Sequence, residues 1–165
     1  MEFFSGKKTI GILGGGQLGK MMLSVTRKWD IKTKVMDPNE DAPSRIGCNK
    51  FVKGNLMNYE NVFDFGKDVD ILTIEIENVN TEALDALEKR GVKVYPQSSI
   101  LKIIQNKCLQ KQFYQKNKIP TARFQIFGSK EELKDAVVRG FISFPFVWKT
   151  ESMGYDGYGV KIIRS

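Results

Sequence analysis

Apolar residues in this chain come in short runs, separated by stretches in which they recur every three or four positions. The first run, residues 8–13 (Lys-Thr-Ile-Gly-Ile-Leu), ends at glycines and predicts a buried strand. Over residues 17–29, Leu18, Met21, Met22, Val25 and Trp29 form one apolar stripe, which predicts an amphipathic helix. Residues 33–36 predict a second strand, stopped by the turn signal Asp37-Pro38-Asn39, and residues 51–53 a short third. A helix over 59–67 and an apolar strand over 70–74 follow. Asn80 or Thr81 can then cap a helix running to Lys89 with Leu84 and Leu87 inward. Gly91 ends that helix, and residues 92–95 predict a fifth strand before Pro96.

Strands alternating with helices predict a doubly wound α/β fold, a parallel sheet covered on both faces. That unit closes near Ser98, and the pattern then changes. Residues 99–104 and 106–117 read as helices, Ile119-Pro120-Thr121 breaks the chain, and residues 123–127 read as a strand. Ser129 and Glu132 have the spacing of a capping box for a helix ending at Gly140. Strands over 144–150 and 160–164 then flank a glycine-rich loop, residues 151–159. Two domains are expected, 1–98 and 99–165, the second incomplete.

Composition narrows the function. Hydrophobic residues make up 41% of the 165 positions, enough for a core. No apolar run reaches the ~18 residues of a membrane span, and the first eight residues are too polar for a secretory signal. Cys48 and Cys108 form no CxxC pair and read as reduced thiols, which suits a cytoplasmic protein. The absence of histidine removes a Ser-His triad and any His-ligated zinc from this stretch. The net charge of +7 suggests anionic partners. The lysines are dispersed, with a modest cluster at Lys102, Lys107, Lys111, Lys116 and Lys118, so small phosphates are favoured over nucleic acid or a membrane surface. Most of these lysines need do no more than solvate helix faces.

Two glycine loops carry candidate chemistry. Gly14-Gly15-Gly16-Gln17-Leu18-Gly19 fits G-x-G-x-x-G between a strand and a helix. There Gly14 permits the turn, Gly16 lets backbone approach an anion, Gly19 permits close packing, and the helix start supplies N–H groups. A ligand-free tight turn is the competing reading. Asp37 stands near where dinucleotide enzymes place a ribose-binding acid, but a turn-starting Asp before Pro38 explains it better. Glu75 and Glu77 are expected on one side of the fourth strand's carboxyl end, where open α/β sheets bind ligands. Glu75 could meet a ribose or an amine. A solvated edge pair is the alternative, most of all for Glu77. In the second loop, Lys149 precedes Gly154-Tyr155-Asp156-Gly157-Tyr158-Gly159, a flap whose N–H groups could close on phosphates beside a fixed charge. A plain hairpin loop explains the same spacing.

The order of these segments resembles the 5-(carboxyamino)imidazole ribonucleotide synthases of the ATP-grasp superfamily. The likeness lies in residues 10–19, Asp37-Pro38 through Pro43, Thr73-Ile-Glu-Ile-Glu-Asn-Val79, Gln112-Phe113 with Ile119-Pro120-Thr121, Lys149, and Gly154-Tyr155-Asp156-Gly157. It implies a pre-ATP-grasp domain followed by the start of an ATP-grasp domain. It also implies ATP-dependent carboxylation of 5-aminoimidazole ribonucleotide by bicarbonate through carboxyphosphate, in purine biosynthesis. Under that resemblance Gly14, Gly15, Gly16, Gln17, Leu18 and Glu75 bind the ribonucleotide. Lys107, Lys149, Gly154, Tyr155, Asp156, Gly157, Tyr158, Gly159 and Val160 bind ATP. Magnesium ligands are expected beyond residue 165, as is a homodimer for the full-length enzyme. The chain departs from the family at Lys107, where arginine is usual, and at Val160, where glutamine is common. It also lacks the basic residues usual near Glu151, Ser152 and Tyr158. The alternatives are a glycinamide ribonucleotide transformylase, a biotin carboxylase or a nicotinamide-binding protein. The flap sequence disfavours the first two, and Glu75 with the second loop disfavours the third.

Overall fold

A computed structural model describes residues 7–152 and 158–165, which fall into two compact units, Met1–Lys102 and Ile103–Ser165. In the first unit the elements run β1 (Thr9–Leu13), α1 (Gln17–Lys28), β2 (Lys32–Asp37), β3 (Lys50–Lys53), α2 (Tyr59–Gly66), β4 (Ile71–Ile74), α3 (Thr81–Lys89) and β5 (Lys93–Tyr95). The strands form one five-stranded sheet in the order β3-β2-β1-β4-β5, every pairing parallel. Alternation along each strand builds a core on each face. Leu13, Met36 and Leu72 join Val62, Phe65, Leu84 and Leu87 of α2 and α3 on one face. Ile12 and Val35 join Leu23 of α1 on the other. The doubly wound parallel sheet expected from the sequence is therefore present.

Local signals set most boundaries. Asn58 accepts from Asn61 N–H at the start of α2, and Asn80, not Thr81, caps α3 by accepting from Ala83 N–H at 2.8 Å. Gly91, at φ +91°, ends the connection into β5. Gly11 lies mid-strand because a β-carbon there would meet Leu72 Cδ1 at 2.9 Å. Lys34 is the unexpected member of the interior. It is 7% exposed, donates to Phe65 O at 2.8 Å and lies over the Phe65 ring, and burial lowers its pKa from the ordinary 10.5.

Helix α1 does not bury the stripe that the apolar spacing suggests. Leu18, Met21, Val25 and Trp29 are 47–68% exposed, and Gly19, Leu23 and Thr26 face inward instead. The reason is steric. The chain after β2 comes so close that a β-carbon on Gly19 would lie 2.8 Å from Ser44 Oγ, and Gly47 packs on Leu23. The helix therefore makes its closest approach at Gly19, with Leu23 packed inward one turn later.

The second unit begins within α4 (Ser98–Gln105) and continues with α5 (Lys107–Lys116), α6 (Lys130–Val138), β6 (Phe146–Lys149) and β7 (Val160–Ile163). Strands β6 and β7 pair antiparallel, with Lys149 opposite Val160. Ser129 caps α6 by accepting from Glu132 N–H, and the Glu132 carboxylate returns to Gly128 N–H at 2.7 Å, one residue earlier than in the standard box. The strand expected over 123–127 is absent. That stretch has no ladder partner among the described residues, and an extended segment counts as a strand only when another pairs with it.

Candidate functional site

The sheet order reverses at β1. The chain leaves β1 toward β2 and β3 on one side and comes back to β4 and β5 on the other. Open α/β sheets form their ligand crevice at such a switch point, at the carboxyl ends of the strands. Two segments meet here: the glycine loop after β1 and the bend after β4.

Gly14 turns the chain at φ +99°, a conformation that favours glycine, and donates its N–H to Met36 O at 2.9 Å. Gly15 donates to Asp37 Oδ2 at 2.7 Å and accepts from Ser44 N–H at 2.9 Å. The Gly16 carbonyl accepts from Ser44 Oγ at 3.2 Å and from Lys20 N–H at 3.0 Å. Gly16 is the N-cap of α1 and brings no side-chain cap, so Gln17 and Leu18 open the helix without one. Leu18 is 66% exposed at this helix start.

Strand β4 stops at Ile74, so Glu75 and Glu77 lie in a bend and do not share one side of a strand as the sequence suggested. The ladder ends there because its partner β1 ends at Leu13, opposite Ile74. One further bond, Glu75 N–H to Leu13 O at 2.7 Å, holds Glu75 against the loop. Its carboxylate fills the space that the glycines leave. A β-carbon on Gly14 would stand 2.6 Å from Glu75 Oε2, and one on Gly16 would stand 2.5 Å from Oε1. At Gly14 the positive φ and the nearby Glu75 Cβ and Ile76 Cγ2 favour glycine before any ligand, whereas at Gly16 a side chain would have to displace the Glu75 carboxylate. Asp37 is spent on backbone, with Oδ2 on Gly15 N–H and Oδ1 on Asn39 N–H at 2.8 Å. It is the turn residue that the Asp-Pro pair suggested, with the added partner Gly15.

The second unit gathers the other candidates around the ends of β6 and β7. Lys107 opens α5, and its N–H donates to Glu151 O at 2.7 Å, two residues past Lys149. Asn106 caps α5 and donates from its amide to Glu151 Oε1 at 2.7 Å. Glu151, where the resembled family carries basic residues, therefore fastens the segment after β6 to the start of α5. Thr150 N–H donates to Gly159 O at 2.8 Å and closes the base of the flap. Gly159, at φ +67°, leaves no room beside Thr150 for a β-carbon. Lys149, Tyr158 and Val160 are exposed. Gly154, Tyr155, Asp156 and Gly157 lie outside the described residues.

The roles of Asp37, Ser44 and Glu151 in holding the two loops were not read from the sequence. Asn106, three residues before Leu109, carried a capping signal that could have been found. Nothing in the spacing pointed to Ser44 or Glu151, whose partners lie 28 and 45 positions away. No group of three or more Cys, Asp or Glu side chains able to hold a metal ion is present among the described residues.

Comparison with known proteins agrees with this geometry. The ribonucleotide synthetase preATP-grasp domain model matches residues 7–105, and the ATP-grasp domain model matches residues 112–165. The bifunctional purine synthesis protein purC/E of Dictyostelium discoideum is 39% identical over 151 residues, covering 92% of this chain and 15% of that protein. N5-carboxyaminoimidazole ribonucleotide synthetase from Thermotoga maritima superposes with a TM-score of 0.83 at 34% identity, covering 96% of this chain and 41% of that one. N5-carboxyaminoimidazole synthase from Aspergillus clavatus, solved with ADP and 5-aminoimidazole ribonucleotide, gives a TM-score of 0.80 at 30% identity over 96% of this chain and 41% of that one. The chain thus spans well under half the length of these relatives. With its switch-point crevice, glycine loop and second unit in register with both domain models, the chain belongs to the ribonucleotide synthetase preATP-grasp family and continues into ATP-grasp sequence.

Proposed function

We propose that this chain is the ribonucleotide-binding part, with adjoining ATP-grasp sequence, of an enzyme that carboxylates 5-aminoimidazole ribonucleotide. ATP and bicarbonate would be the other substrates, and purine biosynthesis in the cytoplasm the setting, with the full-length enzyme a homodimer. Residues 1–98 form the ribonucleotide domain and residues 99–165 belong to the ATP-grasp domain. The phosphate of the ribonucleotide meets the N–H groups of Gly16, Gln17 and Leu18 at the start of α1, where the helix dipole favours an anion. Glu75, across the same loop, accepts from the ribose hydroxyls or the amine. Lys107 and Lys149 meet ATP phosphates or adenine, and residues 154–160 cover the triphosphate.

The observation that carries this reading is the Glu75 carboxylate packed on Gly14 and Gly16 beside an uncapped helix start. The crevice thus pairs an anion-binding edge with a carboxylate, as a substrate with a phosphate at one end and donors at the other requires. The relative solved with 5-aminoimidazole ribonucleotide shares this fold. Magnesium does not fit the described residues. In the second unit the Glu132, Asp135 and Glu151 carboxylates are engaged by Gly128 N–H, Arg139 and Asn106, and Glu131 joins no group of three acids or cysteines among the described residues.

Calorimetric titration with 5-aminoimidazole ribonucleotide tests the site. Glu75→Gln keeps the shape and removes the charge, and is expected to weaken binding about tenfold or more, the scale of one charged hydrogen bond. Glu77→Gln is expected to change it much less. Equal, small effects in the two variants would leave Glu75 a solvated edge residue and remove this reading.

A further inference from the structure

The end of β2 and the connection from it to β3 touch no ligand in the reading above, yet together they grip the glycine loop on one side. Gly14 N–H is held by Met36 O and Gly15 N–H by Asp37 Oδ2. Ser44 then takes two consecutive carbonyls, Gly15 O with its N–H and Gly16 O with its hydroxyl. Ser44 is fully buried, and Asp37 is anchored in turn by Asn39 N–H on its other oxygen. Gly15 has no room for a side chain: a β-carbon would lie 2.9 Å from Ala42 Cβ and 3.1 Å from Asp37 Cβ.

Peptide planarity turns this grip into a direction. In a trans peptide the N–H of one residue points opposite to the C=O of the residue before it. With the Gly15 carbonyl fixed toward Ser44 N, the Gly16 N–H is aimed away from the connection. With the Gly16 carbonyl fixed toward Ser44 Oγ, the Gln17 N–H is aimed away as well. These are two of the N–H groups that the phosphate is proposed to meet. Asp37 adds a second effect. By taking up Gly15 N–H it withdraws that donor from the anion site, and the phosphate is left to the groups at the helix start.

We infer that Asp37 and Ser44 are positioning residues of the ribonucleotide site, acting through Gly15 and Gly16 to aim the Gly16 and Gln17 N–H groups at the phosphate. The inference rests on the ribonucleotide reading. It makes a prediction about charge that a direct ligand role does not. A carboxylate near a phosphate repels it, so Asp37 matters as a hydrogen-bond acceptor and not as an anion. Asp37→Asn removes the charge and keeps one acceptor oxygen, enough for Gly15 N–H but not also for Asn39 N–H, which would then face the amide NH2, whereas Asp37→Ala removes both acceptors.

The test is titration of the chain with 5-aminoimidazole ribonucleotide, following the Gly16 and Gln17 amide resonances, with thermal melting as a check on folding. Asp37→Ala is expected to weaken binding about tenfold to a hundredfold, and Ser44→Ala less, since its backbone N–H remains. Asp37→Asn, with one of the two acceptors left, is expected to fall between the unaltered chain and Asp37→Ala, with both amide resonances part of the way back toward their original positions. Weakened binding in Asp37→Ala and Asp37→Asn with the Gly16 and Gln17 amide resonances left where they stand in the unaltered chain would show that Asp37 acts other than by aiming those groups, and overturn the inference. So would unchanged binding in both alanine variants. If the unaltered chain shows no response to the ribonucleotide, the site reading itself falls, and the positioning role falls with it.

Discussion

Single residues in this chain carry constraints that their type does not announce. Lys34 could have been solvated at a sheet edge, but it lies beneath the sheet with Phe65 O as its acceptor. Desolvation lowers its pKa below 10.5, so between the folded pKa and 10.5 the unfolded chain binds more protons than the native one. Stability from this group therefore rises with pH through that window, and the full penalty of the buried charge is felt below it. Urea unfolding of the chain and of Lys34→Met, followed from pH 8 to 10.5, is expected to show the parent gaining on the variant as pH rises. Parallel curves would mean that Lys34 titrates normally. Glu75 could be read from the sequence either as a ligand-facing acid or as a solvated edge residue. Neither reading told of its packing against Gly14 and Gly16, which depends on where β4 stops. Asp37 shows the opposite case, in which the bland reading of a turn residue was right about its place and silent about the Gly15 N–H it holds.

At the scale of elements, periodicity located α1, and the burial it suggested was wrong. The helix has an apolar stripe and a separate inward face of Gly19, Leu23 and Thr26, because Ser44 demands a residue without a side chain at 19. The energetic consequence can be measured. Leu23→Ala removes a side chain 1% exposed between Ile12 and Val35 and is expected to cost about 2–5 kcal/mol in denaturant unfolding. Val25→Ser, on the exposed stripe, is expected to stay within about 0.5 kcal/mol. If the two costs were reversed, the helix would be rotated from the orientation described. The strand expected over 123–127 failed for a related reason. Local pattern reports what a segment could do, and pairing depends on a second segment being beside it.

For the whole molecule, the order of motifs was more informative than any one of them. A glycine loop, an acidic strand end, a strand lysine and a second glycine loop in that sequence led to the same family that the domain models match over residues 7–105 and 112–165. What order cannot carry is the set of long-range bonds that hold each loop, such as Asn106 to Glu151. The same bonds bear on turnover. Phosphoryl transfer from ATP requires metal ions held beside the γ-phosphate. Of the four described acids of the second unit, Glu132, Asp135 and Glu151 are committed to structural partners, and Glu131 on α6 gathers with no other ligands into a metal site among the described residues. Purified residues 1–165 are therefore expected to bind the ribonucleotide and to release no ribonucleotide-stimulated ADP when supplied with bicarbonate and magnesium ATP. Release above a heat-killed control would reveal a catalytic set outside these residues' described contacts.

The order β3-β2-β1-β4-β5 also bears on synthesis of the chain. The first strand made is the central one, and the sheet grows outward from it in two campaigns. A nascent chain can lay β2 on one side of β1 and β3 beyond it as soon as they emerge. The opposite edge of β1, from Ile10 to Leu13, stays bare until Ile71–Ile74 leaves the ribosome. For the time taken to translate some sixty residues, a strand destined for the middle of the protein presents an open edge of the kind that recruits other chains. Slowing translation between β3 and β4 should then raise aggregation of this protein more than an equal delay after β5.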